Sequence, residues 1–240
     1  QGRLRERECV CALVGLFMLL GAVSLLGAGL SLLVFWSPMQ KMRAASAEMR
    51  SDEEALLPLL SMAVMAAMWW TYGALIGSKT IMFVNFAGGS LGVLYLYLYF
   101  QGSQRKDKVL TYIGGAVLIF LLVVMYIIFL CPKFKIISQM GVFCALASIF
   151  MNASPLAKMA SVISSQNADS LNPTLALASL ANSATWWFYG TLTEDSFVVI
   201  PNMVAFFLCS VQCLLIVRYS WLGGNRSKSS EENNPPVLFI

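Results

Sequence analysis

The stretch TWWFYG occupies residues 185–190, and MWWTYG occupies residues 68–73. Each carries a tryptophan pair followed by Tyr-Gly, and the copies stand 117 residues apart. The same offset lays Ser37-Pro38 on Ser154-Pro155, Lys41-Met42 on Lys158-Met159, Asp52 on Asp169 and Asn85 on Asn202. These residue types are uncommon in apolar chain, so an internal duplication explains the matches better than chance does.

The chain around these copies is unlike that of a soluble domain. Of its 240 residues, 58% are hydrophobic and 12% charged, where a soluble domain carries about 25% charged residues. Seven runs contain no Asp, Glu, Lys or Arg: about 9–40, 55–78, 80–104, 109–132, 136–157, 170–193 and 196–217. Each holds the roughly 20 residues that a helix needs to cross hydrocarbon. Backbone in lipid must satisfy its own hydrogen bonds, so the runs are expected to be helices. The expected fold is an all-α membrane protein of seven transmembrane helices.

Runs one to three match runs five to seven, and run four has no counterpart. A single odd helix between two triplets gives both the same direction through the bilayer, a parallel 3+1+3 arrangement whose interface is where a carrier places its substrate. The expected divisions are an N-terminal segment 1–8, a first triple-helix bundle 9–104, a linker helix 105–132, a second bundle 133–220 and a disordered tail 221–240. With the amino terminus outside, the inner loops hold ten basic residues and the outer ones six. That bias favours a cytosolic carboxyl terminus.

The chemistry excluded is informative. There is no histidine and no CxxC pair, so a zinc site is not expected. The six cysteines read as small apolar packing residues. No nucleotide-binding glycine motif or catalytic constellation occurs, so neither enzyme activity nor a cofactor is expected. The net charge of +4 offers no nucleic-acid footprint. No apolar run holds an ionisable side chain of the kind that proton- or sodium-coupled carriers use.

Two asparagines stand out, Asn85 and Asn202, each on the helix after a tryptophan helix. An amide in a span commonly serves a helix–helix hydrogen bond of modest energy. Here it recurs at equivalent places, and an amide both donates and accepts. Trp69 and Trp186 each precede their asparagine by 16 residues. An indole there can belong to the interfacial belt or offer its apolar face to a ligand.

At these residues the chain resembles the SWEET sugar transporters. The likeness is carried by SPLAKMASVISSQNADSLNPTLALASLANSATWWFYG (154–190) and by VIPNMVAFFL after it, and it covers about residues 10–220. Parallel repeats are a known property of that family, so their presence adds no independent weight. The resemblance implies a facilitative, bidirectional sugar uniporter working by alternating access. It implies a pocket of Asn85, Asn202, Trp69 and Trp186, further lined by Val34, Met65, Met151 and Asn182. Three of those four lining side chains are large, which in the family goes with a hexose such as glucose. The resemblance also implies proline hinges at Pro38, Pro58, Pro155 and Pro173, and an outer gate of Tyr72 and Asp195, to which Lys79 could add an ion pair. A plasma-membrane location is expected, with the Golgi or a vacuolar or lysosomal membrane as alternatives, and self-association is left open. The competing readings are a PQ-loop carrier of amino acids or other metabolites, which would prefer Pro-Gln where this chain has Pro38-Met39 and Pro155-Leu156, and a seven-helix receptor, which would not show the repeat.

Overall fold

The computed structural model describes residues 2–44 and 53–233, with side chains at 13–37, 56–152 and 155–219. Seven helices follow one another: α1 Gly2–Ala44, α2 Glu53–Ile76, α3 Lys79–Gly102, α4 Lys106–Met125, α5 Ile136–Ser165, α6 Pro173–Leu192 and α7 Ser196–Asn233. No strand occurs among the described residues. The seven apolar runs therefore correspond one to one with helices. A π-helical turn, Tyr126–Leu130, continues α4, and a short 3-10 turn, Lys133–Lys135, leads into α5.

Six of the helices are long and apolar enough to cross a membrane; α6 is the exception. Its 20 residues include Ser179, Asn182, Ser183, Thr185 and Thr191. It packs between α1 and α7, so neighbouring helices shield the polar side that lipid would reject.

The ends of the chain depart from expectation. Residues 2–8 are the first turns of α1 rather than a separate segment. The disorder expected over 221–240 is corrected in part: α7 continues as helix through Asn233, and 234–240 lie outside the description. Elongation adds one hydrogen bond per residue fixed, so a formed helix propagates readily. Gly223 and Gly224 each oppose this by about 1 kcal/mol, but no proline lies between Trp221 and Pro235.

Within each half the third helix lies between the first two: α3 touches α1 and α2, and α7 touches α5 and α6. Between halves, α1 packs on α6 and α2 on α5. These contacts close a ring in the order α1–α3–α2–α5–α7–α6, and exchanging the halves reproduces it. The linker α4 lies outside the ring against α2. One apolar cluster binds both halves together, including Val23, Met68, Ile81, Cys144, Trp186 and Val198. Two satellites hold the single bundles, one around Tyr95 with Leu56 and Val109, the other around Val162 with Leu171 and Ile216.

The repeated Tyr-Gly has a structural reason. A Cβ on Gly73 would stand 3.0 Å from Ile81 Cγ2 and 3.1 Å from the Met82 nitrogen. On Gly190 it would stand 2.9 Å from the Val199 nitrogen. Only glycine lets the end of α2 or α6 sit this close to the start of the helix that folds back on it.

The prolines divide into different classes. Pro58 and Pro155 lie inside α2 and α5, where each removes one intrahelical hydrogen bond. Pro38 falls within α1, but its side chain lies outside the description. Pro173 departs from the expected interior hinge: it occupies the first turn of α6, behind the N-cap Asn172, whose Oδ1 accepts from the Leu175 amide at 3.0 Å. At that position the missing N–H would be unpaired in any residue, so proline starts the helix without bending it. Pro201 lies inside α7 and is fully buried.

Candidate functional site

Asn85 sits one turn into α3 and Asn202 one turn into α7, both half-buried. Asn85 Nδ2 donates to the Ile81 carbonyl at 2.9 Å, and Asn202 Nδ2 donates to the Val198 carbonyl at 2.8 Å. A carbonyl acceptor fixes which end of each amide is nitrogen, because only the NH2 can donate to it. One N–H and the carbonyl oxygen of each amide remain for other partners. Among the described residues no fully buried polar side-chain atom lacks a partner. Each asparagine is thus a fixed donor–acceptor pair, and the same geometry occurs in both halves.

The two indoles are anchored across the bundle interface. Trp69 Nε1 on α2 donates to Ser148 Oγ on α5 at 3.1 Å. Trp186 Nε1 on α6 donates to Ser31 Oγ on α1 at 2.9 Å. Ser31 and Ser148 are themselves 117 residues apart, so these bonds are equivalent. Each indole also meets the tyrosine three residues on, edge to face, at 5.6 Å for Trp69–Tyr72 and 5.2 Å for Trp186–Tyr189. The second tryptophans turn elsewhere. Trp70 is exposed, and Trp187 packs on Phe206 and Phe207.

The same two tyrosines bridge the halves at the end that carries the α2–α3 and α6–α7 turns. Tyr72 donates to Asp195 Oδ2 at 2.8 Å. Tyr189 and Ser78 share a hydroxyl–hydroxyl bond of 2.9 Å. Ser78 and Asp195 are equivalent at the repeat offset, and both cap a helix. Ser78 Oγ accepts from the Ile81 amide, and Asp195 Oδ1 accepts from the Phe197 and Val198 amides. The two halves are therefore tied together at this end by two related bonds. Lys79 is exposed and makes no ion pair with Asp195. The carboxylate is taken up by Tyr72 and by the amides at the start of α7.

The four further lining residues are placed unequally. Asn182 Oδ1 accepts from Ser31 Oγ at 2.9 Å, joining Trp186, Ser31 and Asn182 in one chain. Met65, its equivalent in the first half, packs against the shared apolar cluster. Val34 is half-buried, and Met151 is exposed. Sequence reading singled out neither Ser31 nor Ser148, nor the Tyr189–Ser78 pair. Ser31 and Ser148 obey the repeat offset, but serine is too common for its recurrence to stand out, and Ser78 falls on an aspartate, Asp195.

No group of three or more metal-ligating side chains occurs among the described residues. A cleft of about 430 Å³ lies away from the asparagines, between α2, α3 and α4.

Fold and site together define a multi-pass membrane carrier of two parallel three-helix bundles joined by a linker helix. A family model described as "Sugar efflux transporter for intercellular exchange" matches twice, at residues 21–107 and 138–221. Its two matches begin one repeat length apart. Sugar transporter SWEET1 of Rattus norvegicus is 31% identical over 169 residues, 70% of this chain and 76% of that one. Bidirectional sugar transporter SWEET9 of Arabidopsis thaliana is 30% identical over 217 residues, 87% of this chain and 82% of that one. A solved structure of a eukaryotic SWEET transporter superposes with a TM-score of 0.76 at 26% identity, covering 84% of this chain and 96% of that one. The chain belongs to the SWEET family of sugar transporters, which are carriers and not enzymes.

Proposed function

We propose that the protein is a facilitative, bidirectional uniporter of a hexose such as glucose, exposing a mid-membrane site to each side in turn. The observation that carries this reading is the repeated amide geometry at Asn85 and Asn202. Two fixed donor–acceptor pairs, one per half, suit the hydroxyls of one uncharged ligand held between the bundles. Trp69 and Trp186 supply apolar faces for its C–H surface. The size of Met65, Met151 and Val34 supports a monosaccharide over a disaccharide.

Alternating access follows from the bonds at the closed end. Tyr72–Asp195 and Tyr189–Ser78 must break for that end to open, and Pro58 and Pro155 offer points where α2 and α5 can flex. With the amino terminus outside, the shut end faces the exterior, and a plasma-membrane location fits that orientation. No charged side chain lies in the apolar interior of the spans, which supports movement without ion coupling.

The test is flux in proteoliposomes without a proton or sodium gradient. Radiolabelled glucose is expected to equilibrate in both directions, with excess unlabelled glucose competing and sucrose competing poorly. Strict dependence on an ion gradient would overturn uniport. Normal flux through Asn85→Ala or Asn202→Ala would overturn the site.

A further inference from the structure

The two halves treat an equivalent proline differently. Pro38 in α1 and Pro155 in α5 stand one repeat apart. Neither has an N–H, so the carbonyl four residues earlier, on Val34 or Met151, loses its helical donor and the helix can bend there. In the first half this place is braced from α3. Tyr95 is fully buried, and its hydroxyl donates at 3.0 Å to the Phe35 carbonyl, the next one along. The Phe35 ring lies against α3 in turn, where a Cβ on Gly88 would come within 2.5 Å of it.

The second half keeps the proline without the brace. The counterparts of Phe35, Gly88 and Tyr95 are Asn152, Ala205 and Gln212. Among the described residues neither the Asn152 nor the Gln212 side chain makes a hydrogen bond, although both are half-buried. Phe150 and Met151, just before them on α5, are exposed. The helix is nevertheless held on either side of this stretch. Met140 and Cys144 sit in the apolar cluster shared by the halves, and Val162 sits in the satellite of the second bundle. Pro155 thus stands in a loosely packed stretch between two fixed ones, and few buried contacts make such a stretch the easiest to deform.

We infer that Tyr95 is a positioning residue for transport: its hydroxyl stiffens α1 at Pro38, so that the bending which exchanges the two states falls on α5 at Pro155. This inference rests on the alternating-access reading above. Breaking the Tyr95 bond would leave a buried hydroxyl and a carbonyl unpaired, which is costly. Bending α5 breaks no such bond, because Gln212 and Asn152 make none.

The test is amide hydrogen exchange of the full chain in detergent without sugar, read at residues 35–42 of α1 and 152–159 of α5. In the wild type the α5 stretch is expected to exchange faster by about fivefold, the worth of one hydrogen bond. Tyr95→Phe should bring the α1 stretch up to the same rate and leave α5 unchanged. Gln212→Tyr supplies the missing hydroxyl. It should slow exchange in α5 by about fivefold and cut maximal glucose flux severalfold, with the half-saturating concentration moving less than about twofold. Gln212→Phe, which has the ring without the hydroxyl, should leave exchange in α5 as it was. Equal exchange of the two stretches in the wild type would overturn the proposal. So would faster exchange of both in Tyr95→Phe, or the same slowing by Gln212→Phe as by Gln212→Tyr, since bulk and not the bond would then be responsible. The exchange measurements need no transport, so an absence of glucose flux would count against uniport and leave them to decide this point.

Discussion

The two bundles perform the same operations with different residues, and the differences are more instructive than the matches. Both tie an indole to a serine across the interface, and both fix an asparagine on the carbonyl one turn before it. At the shut end one half uses a carboxylate, Asp195, where the other uses a hydroxyl, Ser78. Four residues before the first tryptophan of each pair, one half has Asn182 where the other has Met65. Positions that bring the halves together are duplicated. Positions beside them have diverged, so the interface is two-fold in its frame and asymmetric in its detail.

The largest effect expected from disturbing this symmetry is on flux. Asn85→Ala and Asn202→Ala each delete a donor and an acceptor of the proposed site, at roughly 0.5–1.5 kcal/mol per hydrogen bond. Flux in proteoliposomes should fall more than about tenfold in either variant, with the amount of folded protein unchanged. If one variant alone were impaired, the two amides would not share one ligand.

Next come the glycines of the repeated motif. A Cβ at Gly190 meets the backbone nitrogen of Val199, whereas at Gly73 its nearest neighbour is the Ile81 side chain. Backbone cannot yield as a side chain can, so Gly190→Ala should cost about 2–3 kcal/mol and Gly73→Ala about 1–2 kcal/mol. Thermal melts in detergent would show the order, and a reversal would place the tighter crossing in the first half.

The tyrosines test the shut end. Tyr72→Phe removes a bond to a charged acceptor, worth about 1.5–3 kcal/mol before exposure weakens it, and Tyr189→Phe a neutral one of about 0.5–1.5 kcal/mol. Labelling of a cysteine introduced at that end should therefore rise more in Tyr72→Phe than in Tyr189→Phe. Equal rises would mean that the carboxylate adds nothing to closure.

The smallest effect concerns the turns. Gly77 has φ +71° and its counterpart Glu194 has φ +56°. A side chain in the left-handed region costs about 1 kcal/mol, so Glu194→Gly should raise the melting temperature slightly, by the equivalent of about 0.5–1 kcal/mol. A fall would show that the Glu194 side chain has a compensating role.

Much of this was legible before any coordinates. Runs without charge marked the helices, because the bilayer permits no other spanning structure here. The offset exposed the duplication through Trp, Pro and Asn, whose rarity makes a coincidence visible. What escaped has a common cause. Ser31, Ser148 and Ser78 act through partners 155, 79 and 111 residues away, and such pairings leave no local pattern. Lys79 was paired with Asp195 on charge alone, but a carboxylate at a helix start already has amide donors to satisfy. Pro173 looked like a hinge only because its place relative to the α6 boundary was unknown. The helix beyond Trp221 was obscured by composition, since polar residues that cannot build a core can still extend a helix begun in the membrane.

The placement of α4 outside the ring has a consequence for how the molecule could be made. The ring closes through α1–α6 and α2–α5, and neither contact passes through the linker. Cutting the polypeptide between α4 and α5 would leave every interbundle bond intact, so two co-expressed fragments should reassemble into a working carrier.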